Sequence, residues 1–135
     1  MPDRLVIHVD GGARGNPGPA AIAAIASDPD GEQVEQRGEV IGRATNNVAE
    51  YKALLLGIEL ARKLGAAEVE LVGDSELIVR QVKGEYKVKD ATLRELHADV
   101  RKALSGFERW SIRHVRRERT SEADRLVNEA LDGRA

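Results

Sequence analysis

Asp10 in "DGGARGNPGP", Glu50 in "NNVAEYKALL", Asp74 in "ELVGDSE" and Asp124 in "SEADRLVNEAL" each stand where one structural pattern gives way to another. If folding gathers them, four carboxylates would repel one another and raise one another's pKa values, so the cluster persists comfortably only by binding hard cations. A set offering only oxygen, with no histidine or cysteine in it, favours Mg²⁺ or Mn²⁺ over zinc. Two such ions about 3.5–4 Å apart are a recurring device for phosphodiester chemistry, one activating the attacking water and the other stabilising the leaving oxygen. Each acid also has a plain structural reading. Asp10 suits a turn before glycine, Asp74 an N-cap, and Glu50 and Asp124 lie three residues after Asn47 and Ser121, a capping-box spacing. The plain readings weaken jointly, because two strand ends and two helix starts can converge on one spot.

The elements that would position these acids follow from the pattern. "RLVIHVD" reads as a strand closed by Asp10, "AAIAAIAS" as a second and "QVEQRGEV" as a third, returned by the turn-rich "SDPDGE". The alanines of the second strand call for something packed closely over it. "NNVAEYKALLLGIELARKLG" is a long helix with Glu50 in its first turn; Tyr51, Leu54, Ile58 and Ala61 share a face and Gly65 is its stop. A strand "EVELVGD", a helix "SELIVRQV", a helix "ATLRELHADVRKAL" with Thr92 and Glu95 as a capping box, a strand "RWSIRHV" and a helix "SEADRLVNEALD" complete the order β-β-β-α-β-α-α-β-α. Front hairpins imply antiparallel pairing and helix-separated strands imply parallel crossovers. The expected fold is α/β: a five-stranded mixed sheet with helices on both faces, its ligand edge at the carboxyl ends of the central strands.

Composition bounds the rest. The 135 residues, 41% hydrophobic, suit one domain spanning 1–135, and the net charge of −2 leaves any nucleic-acid surface to local patches. The absence of cysteine excludes disulfides, thiolate metal sites and cysteine nucleophiles. Neither His8 nor His97 falls near a nucleophile elbow, so serine catalysis finds no support. No leader pattern or membrane-length apolar run is present, which gives the expectation of a soluble, cytoplasmic monomer with no membrane partner.

"DGGARGNPGPA", "TNNVAEYKALLLGI", "GDSELIVRQV" and "EADRLVNEAL", in this order and spacing, resemble type 1 ribonuclease H, in its short bacterial and archaeal branch. The resemblance covers essentially the whole chain. It implies a ribonuclease H-like fold and endonucleolytic cleavage of the RNA strand of RNA–DNA hybrids, leaving 5′-phosphate and 3′-hydroxyl ends. By position in those motifs, Asp10, Glu50, Asp74 and Asp124 match the family's metal-binding acids, holding two Mg²⁺ ions or Mn²⁺ in their place. Cutting only RNA requires sensing the 2′-hydroxyl, both donor and acceptor. Gly11, Gly12 and Asn16 in the first motif and the amides of Asn46 and Asn47 suit that task. Thr45, the free N–H groups of the helix and Arg43 suit a phosphate of the DNA strand. Whether double-stranded RNA is also cut depends on groove fit. The alternatives are a non-catalytic nucleic-acid-binding module of the same fold and an integrase-like DNA strand-transfer domain.

Two departures from the family pattern matter. Many members carry a long basic insertion between the second and third helices; here only "KGEYKVKDA" joins them, so hybrid affinity should be weaker and strongly salt-sensitive. The mobile histidine expected before the last acid is not cleanly present in "HVRRERTSEAD". His114 shares an alternating face with Trp110 and Ile112 and reads as structural. Arg117 stands in the better position. It cannot act as a base at neutral pH but suits steadying the scissile phosphate or releasing product. Trp110 and His8 read as packing residues, and Tyr86 suits either packing or stacking on a sugar.

Overall fold

Alternation builds the first strand: Leu5, Ile7 and Val9 are fully buried on one face, while Arg4, Val6 and His8 between them are half-buried on the other. A computed structural model describes residues 3–133. Its elements are β1 (Arg4–Ala13), β2 (Gly18–Ser27), β3 (Gln33–Ala44), α1 (Asn46–Lys63), β4 (Glu68–Gly73), α2 (Glu76–Lys83), α3 (Ala91–Leu104), β5 (Arg109–His114), a 3₁₀ turn (Arg117–Thr120) and α4 (Ser121–Leu131). The sheet order is β3-β2-β1-β4-β5. The β1–β2 and β2–β3 pairs are antiparallel, and β4 pairs in parallel with both β1 and β5. This is the expected mixed sheet. Among the described residues, no helix is long and apolar enough to cross a membrane.

The alanines of β2 serve two layers. Ala20, Ile22, Ala24 and Ala26 join the core with Leu54, Ile58 and Ala61 of α1, while Ala21, Ala23 and Ile25 meet Ala123, Leu126, Val127 and Ala130 of α4 on the opposite face. Helices therefore cover both faces. The approach of α1 is close enough that a Cβ on Gly57 would stand 2.8 Å from Ile7 Cγ2 and 2.9 Å from Val9 Cγ1. Tyr51, fully buried, donates its hydroxyl to Gln81 Oε1 at 2.6 Å, and burial pushes its pKa up to about 12.

Several boundaries differ from the sequence reading, for stated reasons. Asp10 does not close β1. The ladder with β4 ends at His8–Val72, but the antiparallel ladder with β2 runs on through Ala13–Ala20. Gly11 and Gly12 thus lie in the strand, their backbone bonds supplied by β2. On the other side of the hairpin, β3 reaches Ala44 by way of a bulge where Gly42 takes φ 81°, a left-handed conformation that glycine alone adopts freely.

The capping expectations are also corrected. Thr45 caps α1 by accepting from Val48 N, which places Glu50 beyond the first turn and outside any capping box with Asn47. Ser75, not Asp74, caps α2, and Asp90 caps α3 by accepting from Leu93 N at 2.9 Å. Thr92 therefore lies inside α3 and forms no box with Glu95. At α4 no side chain caps the helix, so Ser121 and Asp124 make no capping box.

Candidate active site

Each acid is delivered by a different constraint. Asp10 projects from β1 where β4 has already ended, Asp74 directly follows β4, and Asp124 lies in the first turn of α4. Glu50 is brought in by contact between α1 and β1. Gly11 N donates to Glu50 Oε1 at 3.2 Å, and a Cβ on Gly11 would stand only 2.3 Å from Ala49 O. Only a glycine lets the helix backbone lie this near the strand. The result is a group of Asp10, Glu50 and Asp74 whose ligand oxygens all lie within 4.8 Å of one another.

Asp124 lines the same cleft and makes a side-chain hydrogen-bonding contact with Asp10, but it stands outside that group of three. The cleft, about 540 Å³, also takes in Gly11, Gly12, Arg14, Asn46, Asn47, Ser75 and Arg117. Across it, Arg117 Nε approaches Asp74 Oδ2 at 3.3 Å while the arginine side chain stays 81% exposed and that of Asp74 only 4%. The Thr120 hydroxyl, buried, also lies 3.3 Å from Asp74 Oδ2 and 3.1 Å from Arg117 O.

The electrostatics record an uncompensated cluster. Burial, then the charges of Asp74 and Asp124 and the Asp124 contact, push the Asp10 pKa up to about 8, with Arg117 pulling the other way. Burial and the charges of Asp10 and Asp74 raise Glu50 well above the usual carboxylate range, partly offset by the Gly11 N–H. The donor set fits a hard divalent ion: all oxygen, and spaced as ligands across an ion at roughly 2.0–2.6 Å from each would be.

An acid whose folded pKa is raised costs stability as pH climbs from its unfolded value near 4 towards 8, because the unfolded chain gives up the proton more readily. Asp10→Asn should therefore melt higher than the parent in EDTA at pH about 8, by roughly 5–8 °C, and the gap should close towards pH about 4. Thermal melts across pH check this; a parent and variant with equal melting points throughout would contradict it.

The polar residues at the mouth form a clasp. Asn46 Oδ1 accepts from Ala13 N at 2.9 Å, and Asn16 Oδ1 accepts from Asn46 N at 3.0 Å, so two amides stitch the 14–17 loop to the start of α1. Asn46→Ala should lower the melting temperature by only about 3–5 °C, read by thermal melting.

Not every expected residue reaches the cleft. Arg43 is exposed beside Pro19, Val40 and Leu131 in a separate groove, and Thr45 and Asn16 line another with Asn47, Asp90 and Leu93. His114 is exposed at the end of β5, which corrects its structural reading: Ile112 is buried, but the sheet edge offers nothing to cover the next residue on that face. His8 is half-buried in its own cavity of about 200 Å³, its pKa lowered by burial and by Arg113. Trp110 packs against the core with the Arg101 guanidinium 5.2 Å from its ring centre, whereas Tyr86 is exposed under Arg80. Sequence reasoning missed Arg14, Asn128 and Thr120. Asn128 carried a signal, four residues beyond Asp124 on the same helical face. Arg14 pairs with Asp132 at 2.7 Å, a contact no local pattern announces.

A sheet of this order, covered on both faces, with three carboxylates gathered beside β1 where β4 ends, defines a ribonuclease H-like α/β protein. The family model described as reverse transcriptase-like matches residues 8–130. A ribonuclease HI of Halobacterium salinarum is 46% identical over 129 residues, covering 96% of this chain and 65% of the relative; the chain thus spans just under two thirds of that relative's length. The crystal structure of RNase H1 from the same archaeon superposes with a TM-score of 0.95 at 45% identity, covering 96% of this chain and 98% of that one. LC11-RNase H1, solved in complex with an RNA/DNA hybrid, matches with a TM-score of 0.92 at 43% identity over 96% and 97%. The chain belongs to the ribonuclease H family.

Proposed function

We propose that the chain is an endonuclease that hydrolyses the RNA strand of RNA–DNA hybrids with two divalent ions, Mg²⁺ or Mn²⁺, leaving 5′-phosphate and 3′-hydroxyl ends. The observation that carries this reading is the convergence of Asp10, Glu50 and Asp74 on one open cleft. LC11-RNase H1, bound to a hybrid in its own structure, supports the substrate class.

When bound, the ions supply Lewis-acid activation of water and stabilisation of the leaving oxygen. The chain's residues do the rest. Asp10 and Asp74 hold the water-activating position, with Asp124 completing it from α4. Glu50, fixed by the Gly11 N–H, holds the leaving-group position and reaches towards a 2′-hydroxyl. Because the amide oxygens of Asn16 and Asn46 already accept backbone N–H groups, both residues have their NH₂ donors left for substrate oxygens. Asn47 and the backbone of Gly11 and Gly12 face the same cleft. Arg117, tied to Asp74 only at its guanidinium and otherwise exposed, steadies the scissile phosphate or helps product leave. Thr45 and Arg43 serve a DNA-strand phosphate outside the acidic cleft.

Side-by-side digestion of labelled hybrid, double-stranded RNA and duplex DNA, with Mg²⁺ and with EDTA, tests the reading. Metal-dependent cutting of the hybrid RNA strand is expected. Hybrid binding without any cleavage would favour a non-catalytic module, and cutting of duplex DNA would favour a strand-transfer relative.

A further inference from the structure

Thr120 breaks a local rule that the other helix starts obey. Thr45, Ser75 and Asp90 each stand just before a helix and accept from its third N–H, that of Val48 in α1, Ile78 in α2 and Leu93 in α3. Thr120 stands at the same place before α4, yet its side chain caps nothing. Capping is the ordinary use of a threonine at this position, and here it is forgone.

The hydroxyl is spent on the acidic cleft instead. Thr120 is buried, and its Oγ1 lies 3.3 Å from Asp74 Oδ2 and 3.1 Å from Arg117 O. One proton serves both acceptors, and an ionised carboxylate is the stronger of the two. A local preference overridden in favour of a buried contact to an acid of the cleft marks a functional constraint.

The other donor on the same oxygen is of a different kind. Arg117 Nε reaches Asp74 Oδ2 at 3.3 Å from a long side chain that is mostly in solvent. A guanidinium held this loosely is free to leave for a phosphate. A hydroxyl on a short, buried side chain stays where the backbone puts it. Glu50 has such a fixed donor in the Gly11 N–H, and Thr120 supplies the corresponding one to Asp74.

We propose that Thr120 is a positioning residue, whose buried hydroxyl holds the Asp74 carboxylate in place for a divalent ion while Arg117 turns to the substrate. This rests on the hybrid-nuclease reading above.

The test uses the full chain, with Mn²⁺ binding by calorimetry, steady-state cleavage of a labelled RNA–DNA hybrid and melting curves in EDTA. Thr120→Val keeps the volume and loses the hydroxyl; Thr120→Ser keeps the hydroxyl and loses a buried methyl. Thr120→Val should weaken Mn²⁺ binding and lower kcat about tenfold each, with KM for the hybrid within about twofold. Thr120→Ser should melt lower than the parent yet restore Mn²⁺ affinity and kcat to within about twofold. A packing role alone would reverse that order, leaving the serine variant the more impaired. If Thr120→Val does not fold, Thr120→Ser against Thr120→Ala isolates the hydroxyl, and the same tenfold gap is expected. Parent-like Mn²⁺ affinity and kcat in the variant without the hydroxyl, or a serine variant no better than it, would overturn the positioning role and leave the nuclease reading standing. A parent that binds no Mn²⁺ or cuts no hybrid would instead overturn the functional reading beneath it.

Discussion

Asp74→Asn should leave the chain folded and slow hybrid cleavage by about 10³-fold or more. The size follows from the ion chemistry: several kcal/mol of transition-state stabilisation depend on the charge and geometry of that carboxylate, at about 1.4 kcal/mol per tenfold in rate. Folding survives because asparagine keeps the shape and an oxygen able to accept the Thr120 hydroxyl. The ion pair with Arg117 is lost, but that side chain is 81% exposed, so its loss costs little. Removing one negative charge also relieves Asp10 and Glu50, whose carboxyls Asp74 pushes up. Single-turnover cleavage at matched Mg²⁺, with a melting curve alongside, separates the two effects. A variant that melts like the parent and cuts within about threefold of it would remove Asp74 from the chemistry.

What made Asp74 visible in the sequence was position. An acid directly after an apolar strand run, followed by a capping serine, is a local pattern; Asp10 stood out as an acid closing an apolar run and Asp124 as an acid in the first turn of a helix. The alanine-rich β2 likewise announced close packing over it, and the hairpin and crossover rules anticipated the mixed pairing of the sheet. The illegible features are those fixed by contacts between distant segments. Whether Glu50 capped its own helix or faced β1 was decided by the Gly11 N–H, 39 residues away. The strand character of Gly11 and Gly12 came from β2, overriding their weak local preference. Thr120 became part of the site only because the 3₁₀ turn folds against Asp74. Gln81 looked like one more polar helix residue until Tyr51 and Lys87 were brought to it.

Gly11→Ala carries the second large expected effect, and it isolates that distant contact. The φ of Gly11 is not positive, so the backbone conformation itself would admit alanine. The obstacle is space: the new methyl would lie 2.3 Å from Ala49 O, 2.4 Å from Ala49 C and 2.8 Å from Glu50 N, all backbone atoms of α1 that no rotamer change can move. Relief requires the start of α1 to withdraw by about 1 Å, at an overpacking cost of about 1–3 kcal/mol. The same withdrawal stretches the Gly11 N–H to Glu50 bond and carries Glu50 away from Asp10, and a misplacement of about 1 Å costs on the order of 10²-fold in rate. Gly12→Ala is the stability control, since its methyl would find only Val127 Cγ1 at 3.9 Å. The expected result is a melting temperature lowered by about 4–10 °C for Gly11→Ala against little change for Gly12→Ala. Single-turnover cleavage by Gly11→Ala, measured well below its own melting point, should still be down about a hundredfold. If the folded variant cut at the parent rate, the helix approach would be a packing feature alone, and Glu50 would not owe its place to Gly11.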